Sequence, residues 1–322
     1  MPGPSTAVTP ARRRRVPTAG RGGRAGRSLA RYWPQYLAVS PFYVIFALFL
    51  LGPVLFSLYL AFHRWDGMGQ MQYVGLRQFR LLVQDGTFWL AVRNTFAIWI
   101  LATVPMLVMA LALASLMTAA GRVTAFYRLA LFLPNITSVV AVAIIFGALF
   151  GTQYGLVNLG LAGLGVAHVP WLTNPWGMKV VVATLMTWQW TGYNALIYLA
   201  GMQAIPGELY EAARIDGAGP IRSFFSLTLP LLRPIILFTV VISTVSGMQS
   251  FTEPQVLFGG NASVNPDSGG PGQGALTMVL YFYRTAFDNN DYGYGAAIAW
   301  VVFLIVMVFT AVNWRLVGRE ER

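Results

Sequence analysis

The sequence contains no cysteine and few charged residues. Of its 322 residues only 10% are Asp, Glu, Lys or Arg, whereas an ordinary soluble domain is about a quarter charged. The absence of cysteine excludes disulfide frameworks, thiolate metal sites and cysteine nucleophiles. In place of charge, 56% of the residues are hydrophobic and the mean hydropathy is +0.59. This composition indicates a membrane protein.

Charged side chains are also missing from the middle of the long apolar segments. Carriers driven by protons or sodium usually place Asp, Glu or His at such depths, where a charge is costly and functional. A phosphate-binding loop of the GxxxxGK type needs a lysine, and the only lysine, Lys179, begins an apolar segment instead. A transporter with this sequence would depend on ATP hydrolysis by another protein, unless backbone carbonyls build the sodium site of a secondary carrier.

Enzyme chemistry has little support in the sequence. It contains no acid pair and no HExxH helix, and the two histidines, His63 and His168, stand alone between apolar segments. Each histidine is interpreted as an ordinary loop residue. We therefore expect no catalytic residue, no metal site and no cofactor in this chain, and a conduit rather than an enzyme.

Six apolar segments reach the roughly 20 residues that a helix needs to cross a bilayer. They are residues 37–62, 90–118, 128–150, 178–203, 232–253 and 295–316. They are apolar on all sides, and internal prolines such as Pro53 and Pro105 are tolerated within a membrane. The predicted fold class is an all-α polytopic membrane protein with six transmembrane helices.

Arginine is concentrated at one end of the chain. Eight of the 22 basic residues lie in a Pro-, Gly- and Ala-rich stretch that predicts a disordered tail over 1–35. Such a tail indicates contact with anionic lipid rather than with nucleic acid. With the N-terminus inside, 16 of the 22 lie on the cytoplasmic side, so the positive-inside rule places both termini of this multi-pass cell-membrane protein in the cytoplasm. The membrane domain is expected over 36–317, with a short cytoplasmic tail over 318–322.

One cytoplasmic gap, residues 205–234, carries more structure than a linker needs. Pro206 opens a short helix, Gly217 ends it, and Pro220 opens a second helix. The second helix predicts one apolar face, formed by Ile221, Phe224, Phe225 and Thr228. The spacing predicts a helix–turn–helix at the inner membrane face, although a plain interfacial connection would fit the same pattern.

The gap resembles the EAA loop in the permease subunits of ATP-binding-cassette (ABC) importers. The matching run has Glu-Ala-Ala at 211–213, Asp-Gly-Ala at 216–218, and Leu-Pro-Leu-Leu at 229–232. Further stretches at 73–96, 269–271 and 286–300 are similar to the carbohydrate-uptake branch of that family. The resemblance covers residues 36 to 317, and the N-terminal half looks like the first permease of maltose- and glycerol-phosphate-type systems.

The resemblance implies a type I ABC importer fold, alternating access and a set of partners. A second permease would pair with this chain, a cytoplasmic ATPase dimer would bind ATP and magnesium, and an extracytoplasmic solute-binding protein would deliver the sugar. The EAA loop would be the coupling helix that fits a cleft of the ATPase. Its expected contact residues are Glu211, Ala212, Ala213, Asp216, Gly217 and Ala218.

Two spans combine aromatic and hydrogen-bonding side chains in the way that sugar sites do. The candidate substrate residues are Gln189, Trp190, Tyr193 and Asn194 in the fourth span, and Ser243, Ser246, Gly247, Gln249 and Ser250 in the fifth. Small and hydroxyl residues also suit helix–helix packing, so both interpretations stay open. The expected substrate is a di- or oligosaccharide. Glycerol 3-phosphate or another polar solute is the alternative, and the lack of cations inside the spans favours a neutral sugar.

Overall fold

The computed structural model describes residues 24–120, 125–259 and 269–318, and the chain divides into two compact units after Phe56. The first unit contains helix α1 (Arg24–Phe46), a π-helical turn (Ala47–Leu51) and the start of α2 (Gly52–Leu60). Residues 24–35 of the predicted disordered tail are therefore helical, because Ala, Arg and Leu are strong helix formers. Residues 1–23 and 319–322, the rest of the two predicted tails, lie outside the described residues.

The second unit begins at Ser57 and, over its described residues, is built from helices and one small hairpin. The hairpin pairs β1 (His63–Arg64) with β2 (Gln72–Tyr73) in antiparallel fashion. The first helices are α3 (Arg77–Gln84), α4 (Gly86–Ala119), α5 (Ala125–Ile136), α6 (Val139–Leu149), α7 (Leu156–Gly163) and α8 (Pro175–Gln203). They are followed by α9 (Gly207–Ile215), α10 (Pro220–Ser223), α11 (Leu229–Met248), α12 (Thr252–Phe258), α13 (Met278–Tyr283) and α14 (Tyr292–Gly318).

Helices α4 and α8 pack along each other at the centre of this unit. The carboxylate of Asp85 caps α4 by accepting hydrogen bonds from the amides of Thr87 and Phe88, at 2.8 and 3.3 Å. Asn174 caps α8 in the same way, and Pro175 occupies the first helical position. Both caps satisfy amides that have no partner within the helix, so the starting points of the two central helices are well defined.

A glycine allows α5 to approach α8 closely. A Cβ atom built on Gly192 of α8 would lie 1.8 Å from the carbonyl oxygen of Leu131 on α5. No side chain fits in that space, because the obstacle is backbone rather than a side chain that can move. Small residues at helix interfaces permit this kind of contact within a membrane.

Four helical runs among the described residues are long and apolar enough to cross a membrane. They are Tyr32–Leu60, Gly86–Ala119, Pro220–Phe258 and Tyr292–Asn313. Helices α5 and α6 make a fifth if the pair counts as one span, since they are bent by 90° relative to each other. Helix α8 is not in this set although it has 29 residues, because polar side chains such as Gln189 and Asn194 lower its hydropathy. The count of six spans therefore stays a prediction.

Two segments that the sequence predicts as continuous helices are broken. The segment over 128–150 stops at Ile136 and resumes at Val139, and the segment over 232–253 stops at Met248 and resumes at Thr252. Pro134 lies in the last turn before the first break, and its missing amide leaves the carbonyl of Ala130 without its helical hydrogen bond. Hydropathy alone does not reveal where the backbone turns inside an apolar run, and Pro220–Phe258 still qualifies as one candidate span despite its break.

Candidate functional site

A cavity of about 230 Å³ lies between α4, α8, α11 and the backbone break before α12. Eight of the nine substrate residues predicted from the sequence line it: Trp190, Tyr193, Asn194, Ser243, Ser246, Gly247, Gln249 and Ser250. The fold therefore joins the two predicted clusters, one on α8 and one on α11, into a single site. The binding role of these residues stays a prediction.

Trp190 and Tyr193 form an aromatic wall on the α8 side. Their ring centroids are 6.0 Å apart and their planes meet at 84°. Both side chains are more than a third exposed, at 37% and 38%, so ring surface remains available to a ligand. The neighbouring Asn194 is buried and donates a hydrogen bond from Nδ2 to the carbonyl oxygen of Trp190 at 3.0 Å. That hydrogen bond orients the side-chain amide of Asn194. Its Oδ1 atom is then the hydrogen-bond acceptor that this wall offers.

The α11 side of the cavity carries small and hydroxyl side chains. Ser243, Ser246 and Gly247 share one face of the helix, and Ser246 is exposed. Gly247 has a packing role as well, because a Cβ there would lie 2.7 Å from Cδ1 of Trp99 on α4. The glycine thus lets α11 approach α4, while the serines lie at the cavity and their binding role stays a prediction.

The break between α11 and α12 supplies the third wall. Irregular backbone over 249–251 lies against the cavity, which is where such backbone is tolerated at membrane depth. The break brings Gln249 and Ser250 to the lining as predicted. It also adds three residues that sequence reasoning missed, namely Phe251, Thr252 and Glu253. The sequence feature that could have identified these residues is the reappearance of polar side chains at the end of an apolar segment.

Gln189 is the predicted substrate residue that does not line the cavity. Its side chain is only 2% exposed, and its Oε1 atom has no hydrogen-bond partner among the described residues. It precedes Trp190 by one residue, which turns it about 100° around the helix axis and away from the lining. Gln189 therefore lies outside this cavity, because the sequence cluster spans two faces of α8, and its binding role stays a prediction.

The segment predicted to be the coupling helix folds as α9, a turn and α10. α9 ends in a Schellman motif: the amide of Ala218 donates to the carbonyl of Ala213 at 2.8 Å, and that of Gly217 donates to Arg214 at 3.0 Å. Gly217 has φ +76°, in the left-handed region that favours glycine. Of the six predicted contact residues, those exposed are Glu211, Ala212, Asp216 and Gly217, and those partly buried are Ala213 and Ala218.

The four residues of the apolar face predicted for the second helix of this segment are not buried together in the isolated subunit. Ile221 and Phe225 are 77% and 62% exposed, whereas Ser223, predicted on the polar side, is buried. A π-helical turn over Phe224–Thr228 interrupts the 3.6-residue period on which that face was based. As a result the segment presents exposed apolar side chains to its surroundings, which is typical of a contact surface.

A carboxylate at the start of α4 joins three helices. Oδ2 of Asp85 accepts hydrogen bonds from the hydroxyls of Tyr281 on α13 and Tyr294 on α14, the second at 2.7 Å. Burial raises the pKa of Asp85, but these bonds, together with those from the amides of Phe88 and Thr87, outweigh it. The net effect is a pKa below the usual value for Asp. Burial, and then the bond to Asp85, raise the pKa of Tyr281 above its usual value.

The Gly-Gly-Pro run at 269–271 is fixed to α4. Nδ2 of Asn94 donates to the carbonyl oxygens of Gln273 and Leu276, at 2.8 and 3.1 Å. Gly269 has φ +89°, and a Cβ there would lie 2.4 Å from the amide nitrogen of Leu276. The described part of the predicted Gly-rich loop is therefore a compact turn, and residues 260–268 lie outside the described residues.

Comparisons with known proteins agree with this architecture. The family profile of the binding-protein-dependent transport system inner membrane component matches residues 19–319. The chain is 36% identical to the lactose transport system permease protein LacF of Rhizobium radiobacter, over 92% of this chain and 98% of that protein. It is 34% identical to the arabinooligosaccharides transport system permease protein AraP of Bacillus subtilis, over 88% of each chain.

A solved structure shows the same fold. It is the crystal structure of a bacterial ABC transporter involved in the import of the acidic polysaccharide alginate. The matched chain superposes with a TM-score of 0.77 at 23% sequence identity, over 93% of this chain and 100% of that one.

Within the second unit, apolar helices enclose an internal cavity, an architecture that suits a membrane permease. The chain belongs to the family of binding-protein-dependent transport system inner membrane components, and it is a permease subunit of an ABC importer. Subunits of this kind are not themselves enzymes. The resemblance drawn from residues 211–232 is thus confirmed at the level of the family.

Proposed function

We propose that this chain forms the translocation path of an ATP-driven importer for a di- or oligosaccharide. The observation that carries this proposal is the cavity, in which the Trp190–Tyr193 wall faces hydroxyl and amide groups of α11 and the break. Aromatic faces combined with a few placed polar groups are what a sugar needs. Two relatives named for lactose and arabinooligosaccharide transport support the same substrate class.

The proposed membrane arrangement has six spans, with α8 as one of them. At 1.5 Å per residue, its 29 residues extend about 43 Å, more than the roughly 30 Å of a hydrocarbon core. Seventeen of the 29 are buried among neighbouring helices, so the polar side chains that lower its hydropathy do not meet lipid. Both termini and the α9–α10 segment would lie in the cytoplasm, in line with the positive-inside rule.

Coupling to ATP hydrolysis would pass through α9. In this proposal a separate ATPase dimer binds ATP and magnesium, and its cleft receives the exposed surface around Glu211 and Asp216 together with the apolar Ile215 and Ile221. The Schellman motif gives this surface a defined end. Closing of the ATPase dimer would then move α9 as a rigid body. This movement would switch the cavity between inward and outward access.

Two further partners complete the proposed importer. A second permease would pair with this chain, and apolar side chains that are exposed in the isolated subunit, such as Phe126 and Ile144, would meet that partner or lipid. An extracytoplasmic solute-binding protein would deliver the sugar on the outer side. The turn at 269–276 is proposed as part of its landing surface, because Asn94 holds it rigidly to α4.

The proposal is tested with the complete transporter reconstituted in vesicles. ATP-dependent uptake of labelled lactose, maltose and arabinooligosaccharides would be measured for the wild type and for Trp190→Ala. Loss of a stacking face should lower uptake of the transported sugar about tenfold. Trp176→Ala is the matched control, because Trp176 begins the same helix but is 64% exposed and lies outside the cavity lining. Equal effects of the two substitutions, or no uptake of any saccharide by the wild type, would contradict the proposal.

A further inference from the structure

The cavity contains one charged group. Among the described residues that line it, Glu253 is the only one with a charged side chain. It follows the irregular backbone at 249–251 and lies in the first turn of α12. The aromatic wall, the serines and the amides around it are all neutral.

No cation among the described residues pairs with this carboxylate. The structure gives Glu253 no ion pair in the parts of the chain that it describes, and its recorded hydrogen bond is to its own amide. The neighbouring residues 260–268, outside the described part, contain no Lys, Arg or His. Burial of an unpaired carboxylate disfavours its charged form, so the ionised group needs hydrogen-bond donors, which a ligand in the cavity can supply.

The chemistry of a carboxylate fits neutral sugars. Each carboxylate oxygen accepts hydrogen bonds, and a pair of neighbouring sugar hydroxyls can donate one bond to each oxygen. Such charge-assisted bonds are shorter and about twice as strong as neutral ones. A uronate or phosphorylated sugar would instead bring a second negative charge into a site without a balancing cation, where repulsion acts at reduced dielectric.

We propose that Glu253 determines specificity in this cavity, by holding the hydroxyls of a neutral saccharide and by rejecting saccharides that carry a carboxylate or phosphate. This inference rests on the proposed sugar-import function and narrows the substrate class of the same cavity. In this proposal the permease itself discriminates between neutral and anionic saccharides, in addition to the selectivity of the solute-binding protein.

The test compares two sugars in one transporter. Uptake would be measured for the neutral disaccharide, among lactose, maltose and trehalose, that the wild type imports best. It would also be measured for the analogue in which one C6 hydroxymethyl group is oxidised to a carboxylate. The same solute-binding protein is used throughout, so its own selectivity cancels when a variant is compared with the wild type. Glu253→Gln should reduce the neutral-to-anionic uptake ratio by about tenfold or more, because the repulsion is removed and charge-assisted bonds are weakened.

Two further variants make the result unambiguous. Glu253→Asp keeps the charge on a shorter side chain, so it should lower neutral uptake but still reject the anionic analogue; it also serves if Glu253→Gln fails to insert. Asp66→Asn removes a charge from an exposed side chain in the loop between β1 and β2 and should leave the ratio unchanged. An unchanged ratio in Glu253→Gln, or acceptance of the anionic analogue by Glu253→Asp, overturns this inference while sugar import stands. A wild type that imports no saccharide of any kind, arabinooligosaccharides included, overturns the proposed function itself.

Discussion

The hydroxyl of Tyr210 lies 3.0 Å from Oγ1 of Thr228, so a hydrogen bond joins α9 to the π-helical turn that leads into α11. This bond connects the proposed coupling helix to the helix that lines the cavity. Movement imposed on α9 therefore reaches α11 through a side-chain bond as well as through the chain itself.

Removal of this bond should weaken coupling without preventing assembly. Tyr210→Phe deletes one hydrogen bond, worth about 1 kcal/mol, and should lower sugar uptake and stimulated ATP hydrolysis together by about two- to fivefold. Both rates would be measured on the reconstituted transporter. Tyr154→Phe is the control, since Tyr154 is 87% exposed and lies outside the cavity lining. A Tyr210 variant that behaves like this control would show that the bond does not transmit force.

The glycine that ends α9 offers a sharper test. Gly217→Ala forces a Cβ into the left-handed region, at a cost of about 1 kcal/mol or more, and Gly217→Pro also removes the amide that bonds to Arg214. We expect partial loss of stimulated ATP hydrolysis with alanine and complete loss with proline, at normal membrane insertion. Glu211→Lys, which reverses the charge on the exposed surface, should give the same complete loss.

A neighbouring glycine provides the control for that series. Gly219 has φ −67° and open space where a Cβ would stand, so Gly219→Ala should retain coupling. Full coupling in Gly217→Pro would contradict the assignment of α9 as the coupling helix.

The carboxylate that joins three helices should stabilise the fold in a pH-dependent way. Because the pKa of Asp85 is lower in the folded protein than in the unfolded chain, its contribution is present above the unfolded value of about 4 and is lost as pH falls below it. At pH 7, Asp85→Asn should lower the unfolding temperature of the purified transporter by about 2–4 °C. The difference from wild type should shrink as pH is taken from 6 to 3, as followed by thermal unfolding. A difference that does not depend on pH would show that the carboxylate charge is not responsible.

The contact between α5 and α8 should not tolerate even one extra carbon atom. Gly192→Ala would press a Cβ against the carbonyl of Leu131, and overpacking against backbone costs about 1–3 kcal/mol or more. We expect a large fall in the yield of folded protein, measured by size-exclusion chromatography in detergent. Gly160→Ala on α7 meets nothing within 4 Å and should fold normally. Normal yield of the Gly192 variant would mean that α5 and α8 can move apart without loss of folded protein.

The sequence predicted the helical class, the family and half of the residues that line the cavity, because these depend on patterns along single helices. Hydropathy located the apolar segments, and aromatic and hydroxyl residues marked the faces of α8 and α11. The sequence did not predict the contribution of α4, because Thr103 and Met106 are unremarkable within an apolar run and reach the cavity only through packing. It also placed Gln189 in the wall, since a cluster in sequence covers two faces of a helix.

The breaks in the helices could not be predicted from the sequence, for a related reason. A break inside an apolar segment depends on neighbouring helices that satisfy the freed backbone groups, and this information is absent from local pattern. The break before α12 is the feature that brings Glu253 into the cavity. The sequence pattern therefore could not assign Glu253, the charged group among the described lining residues, to the site.

The π-helical turn at Phe224–Thr228 has a geometric consequence for how the subunit works. A π turn contains one residue more than an α turn, and each residue of a helix adds about 100° of rotation and 1.5 Å of rise. Shortening this turn by one residue would rotate α9 and the serine face of α11 by about 100° relative to each other. The length of the π-helical turn therefore sets the angle about the helix axis between α9 and the cavity-lining face of α11.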